Sequence, residues 1–381
     1  VTAAGLASYQ ASLDELADAS RLRSLAPRQG LDFTSNDYLG LAASARLAGA
    51  VTAAIARGTP VGAGGSRLLR GNAPEHEALE ARAAAFFHAQ RALFFGSGYA
   101  ANYALLSTLP QRGDLLILDA LVHASAHEGA RAGRAQVTQA AHNDAGAFEE
   151  AMRTWREGGG RGRVWLAVES LYSMDGDRAP LDDLVAVAER HDAMLLIDEA
   201  HATGIYGPDG RGLAASLEGR DNVIALHTCG KALGGAGALI SGPSVLCDFL
   251  VNRCRPFIYS TAPSPLMAVA ALEALEILRD EPERRQRLAD LVSAAARAAL
   301  ASGAATPTGS QILPVIVGDD RAALTLAAGL QRRGFDVRAI RPPTVPMGTA
   351  RLRISITLNV DAQAVAALFA ALAAERDARA A

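Results

Sequence analysis

Six short runs of uninterrupted apolar residues, at positions 92–95, 115–118, 164–168, 194–197, 223–226 and 238–240, recur through the middle of the chain. Between them lie stretches with helical periodicity, at 99–109, 145–156 and 181–191. A strand that is apolar on both sides must be covered on both sides, which is the condition of a mainly parallel sheet wrapped by helices. A half-solvated strand would instead alternate apolar with polar residues. The pattern predicts an α/β domain, entered through a helix at 74–88 that opens with Pro74 and carries Glu75 and Glu77 in its first turn.

The pattern changes near residue 264. Two long helices, 264–279 and 283–301, lead to strands at 312–317, 335–340 and 351–356 and helices at 320–333 and 361–377, which together read as a smaller α+β domain. At the other end, Leu6, Tyr9, Leu13 and Leu16 mark an amphipathic helix over 4–25. The length of 381 residues accommodates two or three domains. The expected division is an N-terminal helix and extended segment over 1–40, a large α/β domain over 41–275 and a small C-terminal domain over 276–381.

Composition narrows the function. A net charge of −3 gives no basic footprint for nucleic acid or for an anionic membrane surface. No uncharged apolar run approaches the ~18 residues a membrane span needs. Three cysteines are too few for a disulfide framework, so a reducing, cytoplasmic location is expected. The informative count is of cations: Lys and Arg total 37, yet the only lysine is Lys231. Arginine replaces lysine freely as surface charge, but guanidinium cannot lose its proton and attack a carbonyl. A single retained lysine is therefore a candidate Schiff-base nucleophile.

The motifs around it agree. Phe95-Gly96-Ser97-Gly98-Tyr99 reads as strand, glycine turn and helix start, a place where backbone N–H groups receive a phosphate. No Walker lysine loop is present. Asp198 lies at the carboxyl end of an apolar run, where α/β sheets bind ligands, and His201 follows three residues later. The letters Asp198-Glu199-Ala200-His201 also match a helicase box, but that reading needs a phosphate-binding lysine upstream, and Lys231 lies downstream. Lys231 sits in the glycine-rich Thr228-Cys229-Gly230-Lys231 segment after the next apolar run. His123 and His127 have the i, i+4 spacing of metal ligands, but no third ligand accompanies them, so no metal is expected and a stacking role for His123 is preferred. Cys247 and Cys254 read as core residues of one helix face.

These residues, together with Ser35-Asn36-Asp37-Tyr38-Leu39-Gly40, Ala100-Ala101-Asn102, Ser173-Met174-Asp175-Gly176-Asp177 and Ile340-Arg341-Pro342-Pro343-Thr344-Val345-Pro346, carry a resemblance. From about residue 9 onward the chain resembles the α-oxoamine synthases, fold-type-I transferases that depend on pyridoxal 5′-phosphate. The likeness is strongest to the member that condenses L-alanine with a pimeloyl thioester (of CoA or a carrier protein), releasing CO2, on the route to biotin. Sister activities that use glycine or serine share the cofactor motifs.

The resemblance implies that Lys231 carries the cofactor and acts as base. It also implies that Asp198 faces the ring nitrogen, His201 the phenolic oxygen and His123 the ring face. Gly98, Tyr99 and Thr228 would hold the phosphate, and Ser173 would complete the cofactor shell. Arg353 would grip the amino-acid carboxylate, while Thr344 and Arg21 would contact substrate. Family members are homodimers with sites at the subunit interface, which places Ser260 or Thr261 near the partner's phosphate. Three positions depart from the family pattern: Glu199 where aspartate is usual, Cys229 where bulky apolar residues are common, and Asn72 after Gly71.

Overall fold

The computed structural model describes residues 3–380, with the side chains of 5–378. The chain divides into two compact units. The larger contains Asn36–Ser173 and Asp177–Gln286. It is built on seven strands: β1 (Arg91–Phe95), β2 (Leu115–Asp119), β3 (Gln136–Ala140), β4 (Val164–Glu169), β5 (Met194–Asp198), β6 (Val223–Thr228) and β7 (Ala238–Gly242). Their order across the sheet is β1-β7-β6-β5-β4-β2-β3. Only β7 runs antiparallel to its neighbours, so the sheet is mainly parallel.

Successive side chains of a strand point to opposite faces, and both faces are covered. Leu116, Leu118, Leu196 and Ile224 join one buried cluster with the helices Gly98–Thr108 and Ala124–Ala132. Leu115, Ile117, Leu195 and Ile197 join the other with Ala145–Glu157 and Leu181–Arg190. Truncating one of these leucines to alanine costs about 2–5 kcal/mol. The edge strand β3 was not expected. Its sequence, Gln-Val-Thr-Gln-Ala, is largely exposed and so carries no apolar run.

The smaller unit contains the N-terminal segment to Ser35, Met174–Gly176 and Arg287–Ala381. Its antiparallel sheet is formed by β8 (Ile312–Gly318), β9 (Ala339–Ile340) and β10 (Ala350–Ser355), with β10 central. The helices Asp320–Arg332 and Ala362–Ala380 pack together in this unit. The expected strand over 335–340 is broken: Phe335–Asp336 pairs in parallel with Leu31–Asp32, and only Ala339–Ile340 joins the sheet.

The three expected segments are thus distributed differently. That parallel pairing ties the N-terminal segment into the small unit. Helix Pro265–Asp280 packs on helices Ala45–Ala56 and Pro74–Phe86, which carries the large unit on to Gln286. The N-terminal helix also ends earlier than its periodicity suggests, at Asp18 rather than 25. Its stripe of Leu6, Tyr9, Leu13 and Leu16 is 40–70% exposed.

Candidate active site

Lys231 is presented by a closed loop after β6. The Cys229 N–H donates to the Gly237 carbonyl at 2.9 Å, and the Gly235 N–H donates to the Cys229 carbonyl at 2.8 Å. Cys229 itself is buried, and burial pushes its thiol up to about 12, so it packs as an inert hydrophobe. Gly237, at φ +99°, has no alternative, because a Cβ there would lie 2.4 Å from the Phe94 ring.

From this loop Lys231 Nζ reaches His201 Nε2 at 2.7 Å. His201 Nδ1 in turn lies 2.7 Å from the Tyr38 hydroxyl, which donates to Asn36 Oδ1 at 2.9 Å. The order of protons follows. Tyr38 has one O–H, and it is directed to an acceptor, so His201 Nδ1 carries the ring proton and donates to the Tyr38 oxygen. His201 Nε2 then presents its lone pair to Lys231.

Asp198 ends β5 and is buried. Asn102 Nδ2, from helix Gly98–Thr108, donates to Asp198 Oδ2 at 2.6 Å, and the Ala200 N–H donates to Oδ1 at 2.8 Å. A carboxylate held by two donors at the open end of a parallel sheet is positioned to meet a cationic ring nitrogen. His123 caps helix Ala124–Ala132 and holds the Ser125 hydroxyl 2.7 Å from its Nδ1. Its ring remains accessible. Partial desolvation and then the Lys231 charge hold it below the ordinary histidine range, against the pull of Asp198, so a neutral face is available for stacking. His127 lies one turn further along the same helix. Among the described residues, no group of three or more His, Cys, Asp or Glu side chains is arranged to hold a metal.

The glycine turn that opens helix Gly98–Thr108 lies beside Thr228. Ser97 caps helix Gly98–Thr108, its Oγ accepting from the Ala100 N–H at 3.1 Å. A Cβ on Gly98 would come within 3.4 Å of Thr228 Oγ1, so glycine keeps the helix start open beside that hydroxyl. Tyr99 is half exposed and meets the His123 ring edge-on at 6.5 Å between centroids. Ser173 is buried, and its N–H donates to Glu169 Oε2 at 3.1 Å. Ser260 and Thr261 are exposed and line a groove with Gly96 and Ser97 of their own chain. A lysine in contact with an imidazole, an anchored carboxylate, an accessible imidazole face and an open helix N-terminus form a donor set that fits pyridoxal phosphate.

A family model for aminotransferase class I and II matches residues 28–372. The chain belongs to that family. Among its relatives, 8-amino-7-oxononanoate synthase of Anaeromyxobacter dehalogenans strain 2CP-1 is 44% identical over 90% of this chain and 86% of its own. The Chromobacterium violaceum protein of the same name is 42% identical, covering 87% and 85%. Among solved structures, a serine palmitoyltransferase from S. paucimobilis superposes with a TM-score of 0.87 at 26% identity, covering 98% of both chains. 8-Amino-7-oxononanoate synthase from Francisella tularensis superposes at 0.77 with 26% identity, over 92% of this chain and 99% of the other. The fold is that of the fold-type-I pyridoxal-phosphate enzymes, as the sequence implied.

The remaining expected residues belong to the small unit. Arg21 Nε donates to Asp320 Oδ2 at 2.7 Å, and its Nη2 lies 3.0 Å from the Met347 sulfur. Thr344 Oγ1 accepts from Arg23 Nη2 at 3.1 Å. The segment after the first helix therefore gathers Arg21 and Thr344 around the 341–348 loop. Arg353 is buried on β10, where its Nη1 donates to Ser355 Oγ at 2.7 Å.

The three departures have structural explanations. Glu199 is fully buried and accepts from the Leu213 and Ala214 N–H groups at 3.0 and 2.5 Å, a reach that suits its extra methylene. Burial pushes it up to about 7, against those N–H donors. Asn72 accepts from Arg67 Nε and donates to Glu77, both at 2.7 Å. Cys229 shapes the lysine loop as described.

Tyr38, Asn102 and Glu169 were not singled out from the sequence. Tyr38 and Asn102 act across contacts of 163 and 96 residues. Glu169 had a detectable signal, since it closes an otherwise apolar strand just as Asp198 does.

Proposed function

We propose that the chain is a pyridoxal-phosphate-dependent acyltransferase that condenses L-alanine with a pimeloyl thioester to 8-amino-7-oxononanoate, releasing CO2 and the thiol, in biotin synthesis. The contact of Lys231 Nζ with His201 Nε2, beside the Asn102-anchored Asp198, carries the reading. Identities of 41–44% to proteins named for this activity support the substrate pair.

Pyridoxal phosphate, when bound, would supply an electron sink for the electron pair left on the amino-acid Cα, first when its proton leaves and later when CO2 leaves. Lys231 would hold the cofactor, and its Nζ, as a free amine, would take the Cα proton. His201 accepts from the lysine through Nε2 and donates its Nδ1 proton to Tyr38, and it would be the residue placed beside the cofactor's phenolic oxygen. Asp198 would meet the ring nitrogen with its negative charge, and His123 would stack on the ring. Gly98, Tyr99 and Thr228 bind the phosphate and Ser173 closes the shell. Arg353 would receive the alanine carboxylate, and Arg21 and Thr344 would contact the acyl substrate.

The partner is a second copy of the chain. Exposed Val61, Leu68, Leu69 and Tyr259 on the large unit, and the apolar stripe of the first helix, are surfaces that such an interface covers. In that assembly Ser260 or Thr261 contributes to the neighbouring phosphate site. The place is the cytoplasm, in keeping with three cysteines that are all buried and free. No helix among the described residues is long and apolar enough to cross a membrane.

Closer superposition on serine palmitoyltransferases favours a second reading, in which serine meets a longer acyl thioester. Assaying alanine, glycine and serine against thioesters of graded chain length decides between them. Turnover with alanine and pimeloyl thioester alone supports the first reading, and preference for serine overturns it. Borohydride reduction of the cofactor-loaded protein should place the pyridoxyl label on the peptide containing Lys231.

A further inference from the structure

In the parallel register of β4 with β5, Glu169 stands opposite Asp198. Both carboxylates are buried, Glu169 being 2% exposed. Both line a small enclosed cavity together with Asn102, His123 and apolar walls such as Leu106 and Leu196. Their surroundings treat them differently. Each oxygen of Asp198 receives a donor, from Asn102 and from the Ala200 N–H. Glu169 accepts from the Ser173 N–H through Oε2, whereas its enclosed Oε1 accepts no hydrogen bond.

Two neighbouring anions in a dry site disfavour each other, and the proton goes to the one with fewer donors. The other groups facing Glu169 do not reverse this. Lys231 and the Ser173 N–H favour its charge, but burial and the charge of Asp198 outweigh them and push it up to about 8. Tyr172, in the turn that follows β4, is itself pushed up by burial and by the Asp119 charge. Asp119, at the end of β2, is committed to His142 and to the Leu121 and Asn143 N–H groups.

We propose that Glu169 carries the one proton this carboxylate pair retains, acting as a positioning residue that leaves the negative charge on Asp198 for the cofactor ring nitrogen. An ionised Glu169 would set a second negative charge against the one that the ring nitrogen needs. The inference rests on Asp198 being the ring-nitrogen partner; the protonation of Glu169 is measurable separately.

The test is infrared difference spectroscopy on the cofactor-loaded protein, wild type against Glu169→Gln, with melting curves of both across pH. The wild type should show at neutral pH the carbonyl stretch of a protonated carboxyl, absent from the variant and fading as pH rises through about 8. The sign for stability follows from linkage. A carboxyl whose folded value lies above its unfolded value of about 4.3 stabilises fully below that value and loses its contribution as pH rises toward the folded one. The melting temperature of Glu169→Gln should therefore gain on wild type from pH about 5 to about 8, then keep a constant offset.

A wild type without the band, or melting curves that run parallel over that range, overturns the proposal. If the variant does not fold, the wild-type band and its titration decide alone. Asp198→Asn separates the two readings. Undiminished turnover in that variant, with the Glu169 band present, overturns the role of Asp198. An inactive Asp198→Asn with no Glu169 band in wild type overturns the inference about Glu169 alone.

Discussion

Replacing Tyr38 by phenylalanine removes one oxygen atom and leaves the packing volume nearly intact. Tyr38 is fully buried and His201 is 4% exposed, so water has little access to the vacated position. The oxygen accepts from His201 Nδ1 at 2.7 Å and passes its own proton to Asn36, which is half-buried and can find water instead. The cost therefore falls on His201. Taking the acceptor from a buried N–H costs about 1–3 kcal/mol. The ring can avoid part of this by moving its proton to Nε2, but that proton then points at Lys231 Nζ, where the wild type presents a lone pair. Either way the loss appears at the lysine. If all of it reaches the transition state, kcat/KM falls by about 5- to 150-fold, at ~1.4 kcal/mol per factor of ten.

The assay is steady-state turnover of Tyr38→Phe, His201→Gln and the double variant, with the visible spectrum of the bound cofactor recorded alongside. Because Tyr38 acts through His201, adding Tyr38→Phe to His201→Gln should cost little more, giving strong non-additivity. A Tyr38→Phe enzyme within twofold of wild type would refute the reasoning. So would an equal loss on both backgrounds, which would make Tyr38 a packing residue.

Lys231→Arg should fold and bind phosphate-bearing ligands but show no turnover, because guanidinium can neither hold the cofactor covalently nor accept a proton; measurable product formation above the uncatalysed rate refutes the assignment. Arg353→Lys should raise KM for the amino acid by about tenfold or more with a smaller effect on kcat, since a point ammonium replaces a bidentate fork; an unchanged KM places the carboxylate elsewhere. His142, bonded to Asp119 at 2.8 Å and Asp177 at 2.7 Å, is raised to about 10, burial opposing and the two carboxylates prevailing. Its stabilisation is complete below its unfolded value of about 6.5 and lost as pH climbs to about 10, so wild type should lose melting temperature relative to His142→Gln across that window. Parallel melting curves would show that His142 is not charged in the folded protein.

What was legible in the sequence and what was not divides along one physical line. Strands buried on both faces announce themselves as apolar runs, so six of the seven main-sheet strands were placed; β3 escaped because an edge strand with exposed residues needs no such run. Lys231 and Asp198 stand out because each is marked locally, one by being the only lysine and the other by ending an apolar strand. Tyr38, Asn102 and Glu169 do their work by contact, and contact between residues 38 and 201 is decided by the packing of the whole large unit. Glu169 shows how narrow the gap can be. The apolar run was read as ending at Val168, one residue short of the strand's observed end, and that residue brings a second carboxylate opposite Asp198. The rule that located Asp198, a charge closing a buried parallel strand at its ligand-binding end, applies to Glu169 without change. Two such charges on adjacent parallel strands therefore predict not two anions but a pair sharing a proton, with the better-solvated or better-bonded member left charged.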